Sequence, residues 1–356
     1  MAALDWEQIR RRRLARSHLI DRAPRERLIE VVRDVCGIHA QVMGAAGLSI
    51  AARVEGITQE DVRAELWERR SLAKTWTIRG TLHLHPAEEL PLWCAATRAM
   101  GPPWHEQYGL DEEQGNELLD AIGDALDERC LLREELAEEV AKRTGEWTRE
   151  WIGSGWGYII GSAAAVGKLC HGPPRGAKVT FVRTDQWIGW QDVDPDEALR
   201  EAAGRFLETY GPTGPRQFAE WFGMKPREAQ PLFESLGAVE VEAAAAHGHL
   251  RLLPEYDCYV MGFRERDQLV PEKMRERVKM HPKGRFEGIA AVPTILVDGV
   301  VAGLWRRARK GKRVEIVVEP ERKLSAQERR EMEAEAQRIG TFLGVEPTLR
   351  VGRLDA

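Results

Sequence analysis

Cysteine is scarce in this 356-residue chain. Its five copies, Cys36, Cys94, Cys130, Cys170 and Cys258, are widely scattered. None belongs to a C-x-x-C pair, which argues against both a zinc site and a disulfide framework. An odd number of isolated thiols suits the reducing cytoplasm, where the protein is expected to work. No apolar run approaches the length of a transmembrane helix. The opening "MAALDWEQIRRRRLARSHL" lacks the apolar centre that a signal peptide needs. No membrane partner and no disordered linker are therefore expected. Hydrophobic residues make up 43% and charged residues 31%. That is the profile of a soluble globular protein with ample core, and the length leads one to expect two or three domains.

The formal net charge of −5 does not exclude a nucleic-acid partner. Phosphate binding needs a local basic stripe, whatever the total. Charge is unevenly spread: "IRRRRLAR" opens the chain, and "LWRRARKGKR", residues 304–313, is nearly all cationic. The acids gather in "DEEQGNELLDAIGDALDE" and "SAQERREMEAEAQ". Basic runs of this kind are most often solvated faces.

One order of elements recurs along the chain. Ile9, Leu14, Leu19 and Ile20 mark a first helix, and Leu28, Val31, Val32 and Val35 a second, with Pro24 in its first turn. Thr58 and Asp61 open a third with a capping-box variant. "LAKTWTIRGTLHLHP" then reads as two strands around an Arg79-Gly80 turn. The second segment offers "EEQGNELLDAIGDALD", "LLREELAEEVAKR" and "IGSGWGYIIGSAAAVGKL" as helices, then a strand pair whose turn is placed at Pro173-Pro174. The third offers a helix closed by Gly211, a helix-turn-helix around Gly223, and a hairpin around His247-Gly248. Helices followed by a two-stranded ribbon is a winged-helix order, present three times without a common sequence. From Leu252 the style changes. Strands separated by Asp298-Gly299 and by Lys310-Gly311-Lys312 predict a small antiparallel sheet or barrel. A helix over "SAQERREMEAEAQRIGTFLG" and a closing strand in "TLRVGRL" follow. The fold expected is α+β: winged helices over 1–108, 109–192 and 193–251, and a β-barrel-like domain over 252–356.

The stretch "CGIHAQVMGAAG", residues 36–47, holds the candidate chemistry. On a helix, residues two apart point to different sides. Gly37 sits where a left-handed helix cap belongs, after Val35 and Cys36. Past it, an extended "IHAQV" would set His39 and Gln41 on one side and Ile38 and Val42 on the other. Gly44 and Gly47 then allow a turn. The plain alternative is two polar groups satisfying loop amides.

Four landmarks carry a resemblance. "RSHLI…VCGIHAQ", "TWTIRGTLHLHPAEE", "LLPEYDCYVMGFRER" and "PTILVDGVVAGLWRR" together are similar to the winged-helix DNA-binding family that includes the AlkZ/YcaQ-type bacterial DNA glycosylases. The resemblance runs over nearly the whole chain. It implies tandem winged helices with a C-terminal β-barrel forming a C-shaped DNA-binding cleft. It implies excision of N-alkylated purines and, in several members, unhooking of interstrand crosslinks. The catalytic motif of AlkZ-like members is Gln-x-Gln, and of YcaQ-like members Gln-x-Asp. Here those positions read His39-Ala40-Gln41, so the second glutamine is kept and the first is a histidine.

With that resemblance, Arg79, Thr81 and His83 on the first ribbon become candidate DNA contacts; their alternative is a wing whose polar side chains face water. Arg306, Arg307, Arg309, Lys310, Lys312 and Arg313 on the barrel hairpin are either phosphate contacts or a cation-guarded edge. "HPKGRFEG", residues 281–288, presents Lys283 and Arg285 in a turn that clamps DNA or is plain surface. Glu255 and Asp257 in "EYDCY" lie two apart at the expected start of a barrel strand, and the structural reading is preferred to a catalytic or metal-binding one. His83 with His85, and His247 with His249, have no nearby Cys or acid partner, so no metal is expected, and no cofactor. The partner expected is double-stranded DNA carrying alkylated or crosslinked bases. No dimerisation domain is visible, so a monomer is expected. The competing reading is a non-catalytic winged-helix DNA-binding protein, a lesion binder or regulator.

Overall fold

The computed structural model describes residues 5–100, 104–154, 158–236 and 249–354. They build helices and sheets in two compact units: Met1–Val62 joined to Gly204–Ala356, and Arg63–Ala203. No helix among the described residues is long and apolar enough to cross a membrane.

In the first unit, helices Trp6–Arg16 and Leu28–Asp34 bury Ile9, Leu14, Leu28, Val31 and Val32. These are the apolar positions whose spacing predicts helix faces. Pro24 precedes a single 3₁₀ turn, Arg25–Arg27, that leads into the second helix. Thr58 and Asp61 cap reciprocally: the Asp61 amide donates to Thr58 Oγ1 at 3.3 Å, and the Thr58 amide donates to Asp61 Oδ2 at 2.7 Å. Gly223, at φ 96°, turns the chain between helices Pro215–Phe222 and Pro226–Leu236, as expected. The hairpin expected around His247-Gly248 lies outside the described residues.

Four strands of this unit, Leu250–Leu253, Thr294–Val297, Val300–Lys310 and Arg313–Pro320, pair antiparallel in chain order. Asp298 and Gly299 have φ of 48° and 78°. Two positive φ values in a two-residue loop are what a type I′ hairpin requires. The last strand, Glu346–Val351, corrects the all-antiparallel expectation, because it runs parallel to Arg313–Pro320. The helix Ala326–Leu343 between them carries the chain back, and a crossover of that length delivers a parallel strand. The result is a curled half-barrel whose Leu250–Leu253 edge donates backbone amides to Glu331 and Glu335 of the last helix. Its core includes Tyr259, Phe263, Met274, Leu296, Val301 and Leu304.

In the second unit, Leu72–Trp76 and Leu82–Pro86 pair antiparallel across Arg79 and Gly80, at φ 57° and 63°. Helices Glu112–Ala125, Arg133–Thr144 and Tyr158–Ala165 share a core with Phe181. Two expectations change here. "IGSGWGYIIGSAAAVGKL" is not one helix: Trp147–Gly153 ends at Ser154, whose backbone is extended at ψ 128°. Pro173-Pro174 is not the turn either. Strands Cys170–Arg175 and Lys178–Val182 meet at Gly176, φ 61°, and their register shifts between Gly172 and Arg175. Two prolines supply no amide to the ladder, so the strand bulges where they sit and turns where a glycine permits it.

Candidate active site

The helix Leu28–Asp34 ends in a left-handed exit. Cys36 and Gly37 have φ of 61° and 89°, and the Gly37 amide donates to the Val32 carbonyl at 2.9 Å. This is the reversal that the glycine predicts. Two side chains satisfy the carbonyls behind it: Thr209 Oγ1 donates to Asp34 O at 2.6 Å and Tyr210 Oη to Val35 O at 3.0 Å.

Extended backbone follows, but only over Ile38–His39. The chain bends at Gln41 and Val42, and a helix begins at Met43 and runs to Ala51. The expected turn at Gly44 and Gly47 is therefore a helix. Close packing explains Gly47, whereas a side chain at Gly44 would make only an ordinary contact. A Cβ on Gly47 would lie 2.5 Å from Phe342 Cζ, and one on Gly44 would touch the Arg307 guanidinium at 3.9 Å. Ile38 and Ala40 are fully buried, His39 is 8% exposed, and Gln41 is exposed. The motif thus presents its carboxamide to solvent and holds its imidazole beneath.

What holds that imidazole comes from far along the chain. The ring of Tyr256 lies with its centroid 4.9 Å from that of His39. "EYDCY" is not a strand start. Glu255 and Tyr256 form a turn, Tyr256 at φ 58°, and Asp257 caps the short helix Cys258–Gly262. The three residues then diverge. Glu255 accepts both terminal nitrogens of Arg307, at 3.1 and 3.3 Å. Tyr256 Oη donates to Glu287 at 2.6 Å, and burial, then that bond, push its phenol up to about 12. Asp257 takes a fork from Arg53 at 2.7 and 2.8 Å and a hydroxyl from Ser49 at 2.6 Å. Arg53 and Asp257 are both fully buried. Burial works against the Arg53 charge, but the Asp257 carboxylate outweighs it and raises the guanidinium above its ordinary value. Since Ser49 and Arg53 lie on and just past the helix that follows Gln41, this pair pins the motif's own helix to the sheet domain. The structural reading of Asp257 holds.

The candidate DNA contacts fall into groups. On the hairpin, Arg307 is drawn to Glu255, Lys310 to Glu315 at 3.1 Å, and Arg313 to Glu346 at 3.3 Å. Arg309 and Lys312 have no carboxylate partner among the described residues, and Arg306 forms no ion pair there, although it feels the Glu315 carboxylate. Lys283 and Arg285 likewise stand outside any ion pair on the exposed corner 281–288.

In the second unit, the idea of a wing with water-facing polar residues does not hold. Lys74, Thr75, His83 and His85 are all buried. His83 Nδ1 lies 2.9 Å from the Thr81 carbonyl, and Thr81 Oγ1 donates to Ile78 O at 3.0 Å. His85 Nε2 meets Thr77 Oγ1 at 2.9 Å and its ring stacks on Trp93. Arg79 is half-buried at the turn. Trp76 packs against Phe181 and His171, consistent with a core role. Lys74, 7% exposed, has no acidic partner among the described residues, and burial alone brings its ammonium down to about 8. The neighbouring His171 is pushed to about 3, by burial first and then by the Lys74 charge. Among the described residues no cluster of three or more His, Cys, Asp or Glu side chains is placed to hold a metal ion.

Sequence reasoning missed Tyr256, Arg53, Ser49, Lys74 and His171. Tyr256 sat between two acids that drew the attention, and nothing local marks a residue whose partner is over two hundred positions away.

Known proteins resemble this chain along most of its length. The model of the AlkZ-like DNA glycosylase family matches residues 32–342. An interstrand DNA cross-link repair glycosylase from Streptomyces sahachiroi is 30% identical over 332 residues, covering 84% of this chain and 87% of that protein. The solved structure of the Streptomyces sahachiroi DNA glycosylase AlkZ superposes with a TM-score of 0.79 at 28% identity, over 98% of this chain and all of the other. The chain belongs to the AlkZ-like DNA glycosylase family and is an enzyme of that class.

Proposed function

We propose that this glycosylase excises N-alkylated purines from duplex DNA and unhooks bulky or interstrand-crosslinked adducts, with His39 and Gln41 holding the nucleophilic water. The observation that carries the reading is the motif geometry: an exposed carboxamide two residues beyond an imidazole that is buried and packed against the tilted ring of Tyr256. The similar Streptomyces sahachiroi protein, named for crosslink repair, supports the substrate class. An N7- or N3-alkylated purine is already cationic, so its bond to the sugar breaks with little acid assistance. What remains is to stabilise the developing oxocarbenium and to deliver water. The Gln41 carbonyl oxygen accepts a hydrogen bond from that water, or turns its dipole toward the cationic sugar. Neutral His39 accepts the water's proton or orients it. No carboxylate is needed for so reactive a bond.

The reading includes the winged-helix modules over 1–108, 109–192 and 193–251. Their support is the order of helices and paired strands and the helix-turn-helix at Gly223. Duplex contact is assigned to Arg79, Thr81, Lys283, Arg285, Arg306, Arg309 and Lys310, with Arg307 acting through Glu255; His83, buried at the Thr81 carbonyl, drops out of the expected set. The test is a duplex containing 7-methylguanine or a nitrogen-mustard crosslink. Release of the base, with alkali-labile abasic sites left behind, is expected. Tight binding without release would make the protein a silent binder and contradict the reading.

A further inference from the structure

The corner 281–288 carries a residue that the proposed chemistry does not use. Phe286 is 83% exposed, and Met280 at the end of the preceding helix is 80% exposed. Leaving a phenyl ring in water forgoes the stabilisation its burial would bring. Fraying does not account for it, because the base of the corner is tightly packed: a Cβ on Gly284 would lie 2.2 Å from the Val278 carbonyl. The corner is held at its other side as well. Glu287, the next residue, accepts the hydrogen bond of Tyr256, whose ring lies against His39. An exposed aromatic ring therefore stands one residue from a two-contact connection to the proposed catalytic imidazole. It is flanked by Lys283 and Arg285, which have no ion pair among the described residues, and the Arg285 guanidinium carbon sits 5.8 Å from the ring centroid. Cations around an apolar ring match a polyanion with stacked, flat bases.

We propose that Phe286 stacks on a base beside the lesion in the bound duplex, holding the strands apart next to His39. An enzyme that acts on a base must expose it, and an inserted apolar wedge is a way to stabilise the opened step. Aromatic–base stacking tolerates any sequence, which suits a lesion that occurs in any context. The inference rests on the reading of this face as DNA-binding, but not on the role of His39 and Gln41 in hydrolysis.

The experiment uses a duplex with a tetrahydrofuran abasic analogue and 2-aminopurine as the adjacent base. Nothing can be released from that site, so the readout is independent of catalysis. Wild type is expected to raise 2-aminopurine emission several-fold, as a phenyl ring replaces a quenching neighbour. Phe286→Ala is expected to lose most of that rise and to bind about ten-fold more weakly, with an unchanged Tm. Phe286→Trp should keep both binding and the emission rise. No rise with wild type, or an equal rise and equal Kd with Phe286→Ala, overturns the proposal. If wild type releases no alkylated base yet Phe286→Ala still abolishes the rise, the catalytic reading fails and the stacking role stands.

Discussion

Two buried cations, one in each unit, are handled in opposite ways. Arg53 in the first unit meets a bidentate carboxylate, and the hydroxyl of Ser49 completes the cluster. Lys74 in the second meets none among the described residues, and its charge falls on a neighbouring imidazole that burial has already neutralised. The first arrangement fixes a geometry, because a forked guanidinium and a carboxylate fit in one orientation only. The second is a cost to the fold. The difference shows where the molecule requires precision: beneath the helix that carries on from His39 and Gln41.

The largest effect should come from breaking the satisfied pair. Asp257→Ala leaves Arg53 buried without its counter-charge and is expected to destabilise by about 3–5 kcal/mol, read as a fall in the denaturation midpoint. A loss well below this would mean that the pair is not the anchor described.

Lys74→Met removes a buried charge of similar reach and should stabilise the protein at pH 7, by about 1–3 kcal/mol. The sign follows from linkage. The folded-state pKa, about 8, is below the ordinary lysine value, so the penalty is complete below pH 8. It fades as the pH rises toward 10.5, and the advantage of methionine should fade with it. Destabilisation at pH 7 would reveal a partner for Lys74.

His171 gives a smaller effect in the acid range. Its folded pKa of about 3 lies below the ordinary 6.5, so the unfolded chain binds the extra proton between those values. Stability should fall as the pH drops through that window, by at most about 1.4 kcal/mol per pH unit. His171→Leu should remove this part of the slope in urea titrations.

The smallest effect on stability, within about 0.5 kcal/mol, is expected of Arg306→Ala on the surface. It should instead lower the salt dependence of DNA binding, by about one in the log–log slope. Arg307→Ala, which removes the partner of Glu255, should cost stability as well, so the two neighbours separate a cation outside any ion pair from a tied one.

Much of the fold was legible because its signals are local. Gly37, Gly223 and Asp298-Gly299 each stand where positive φ is needed, and Ser325 with Glu328 forms a capping box at the start of the last helix. The errors came where tertiary contact decides. Gly44 and Gly47 look like a turn but lie in a helix, where Phe342 leaves no room for a side chain at Gly47. His83 reads as a DNA contact or a water-facing wing residue but is buried. Within the site, His39 and Gln41 could be found from the motif and from the glycine ahead of it. Tyr256 and Arg53 could not, because their roles exist only once residues some two hundred apart meet.

The most direct measurement is the single-turnover rate of 7-methylguanine release by wild type, His39→Ala, Gln41→Ala and the double variant, at matched DNA saturation and with folding verified. Water-positioning by the pair predicts losses on the order of 10²-fold for the double variant, with the product of the two single losses exceeding the double loss, because both residues act on one water. A double variant that releases the base as fast as wild type would contradict the account.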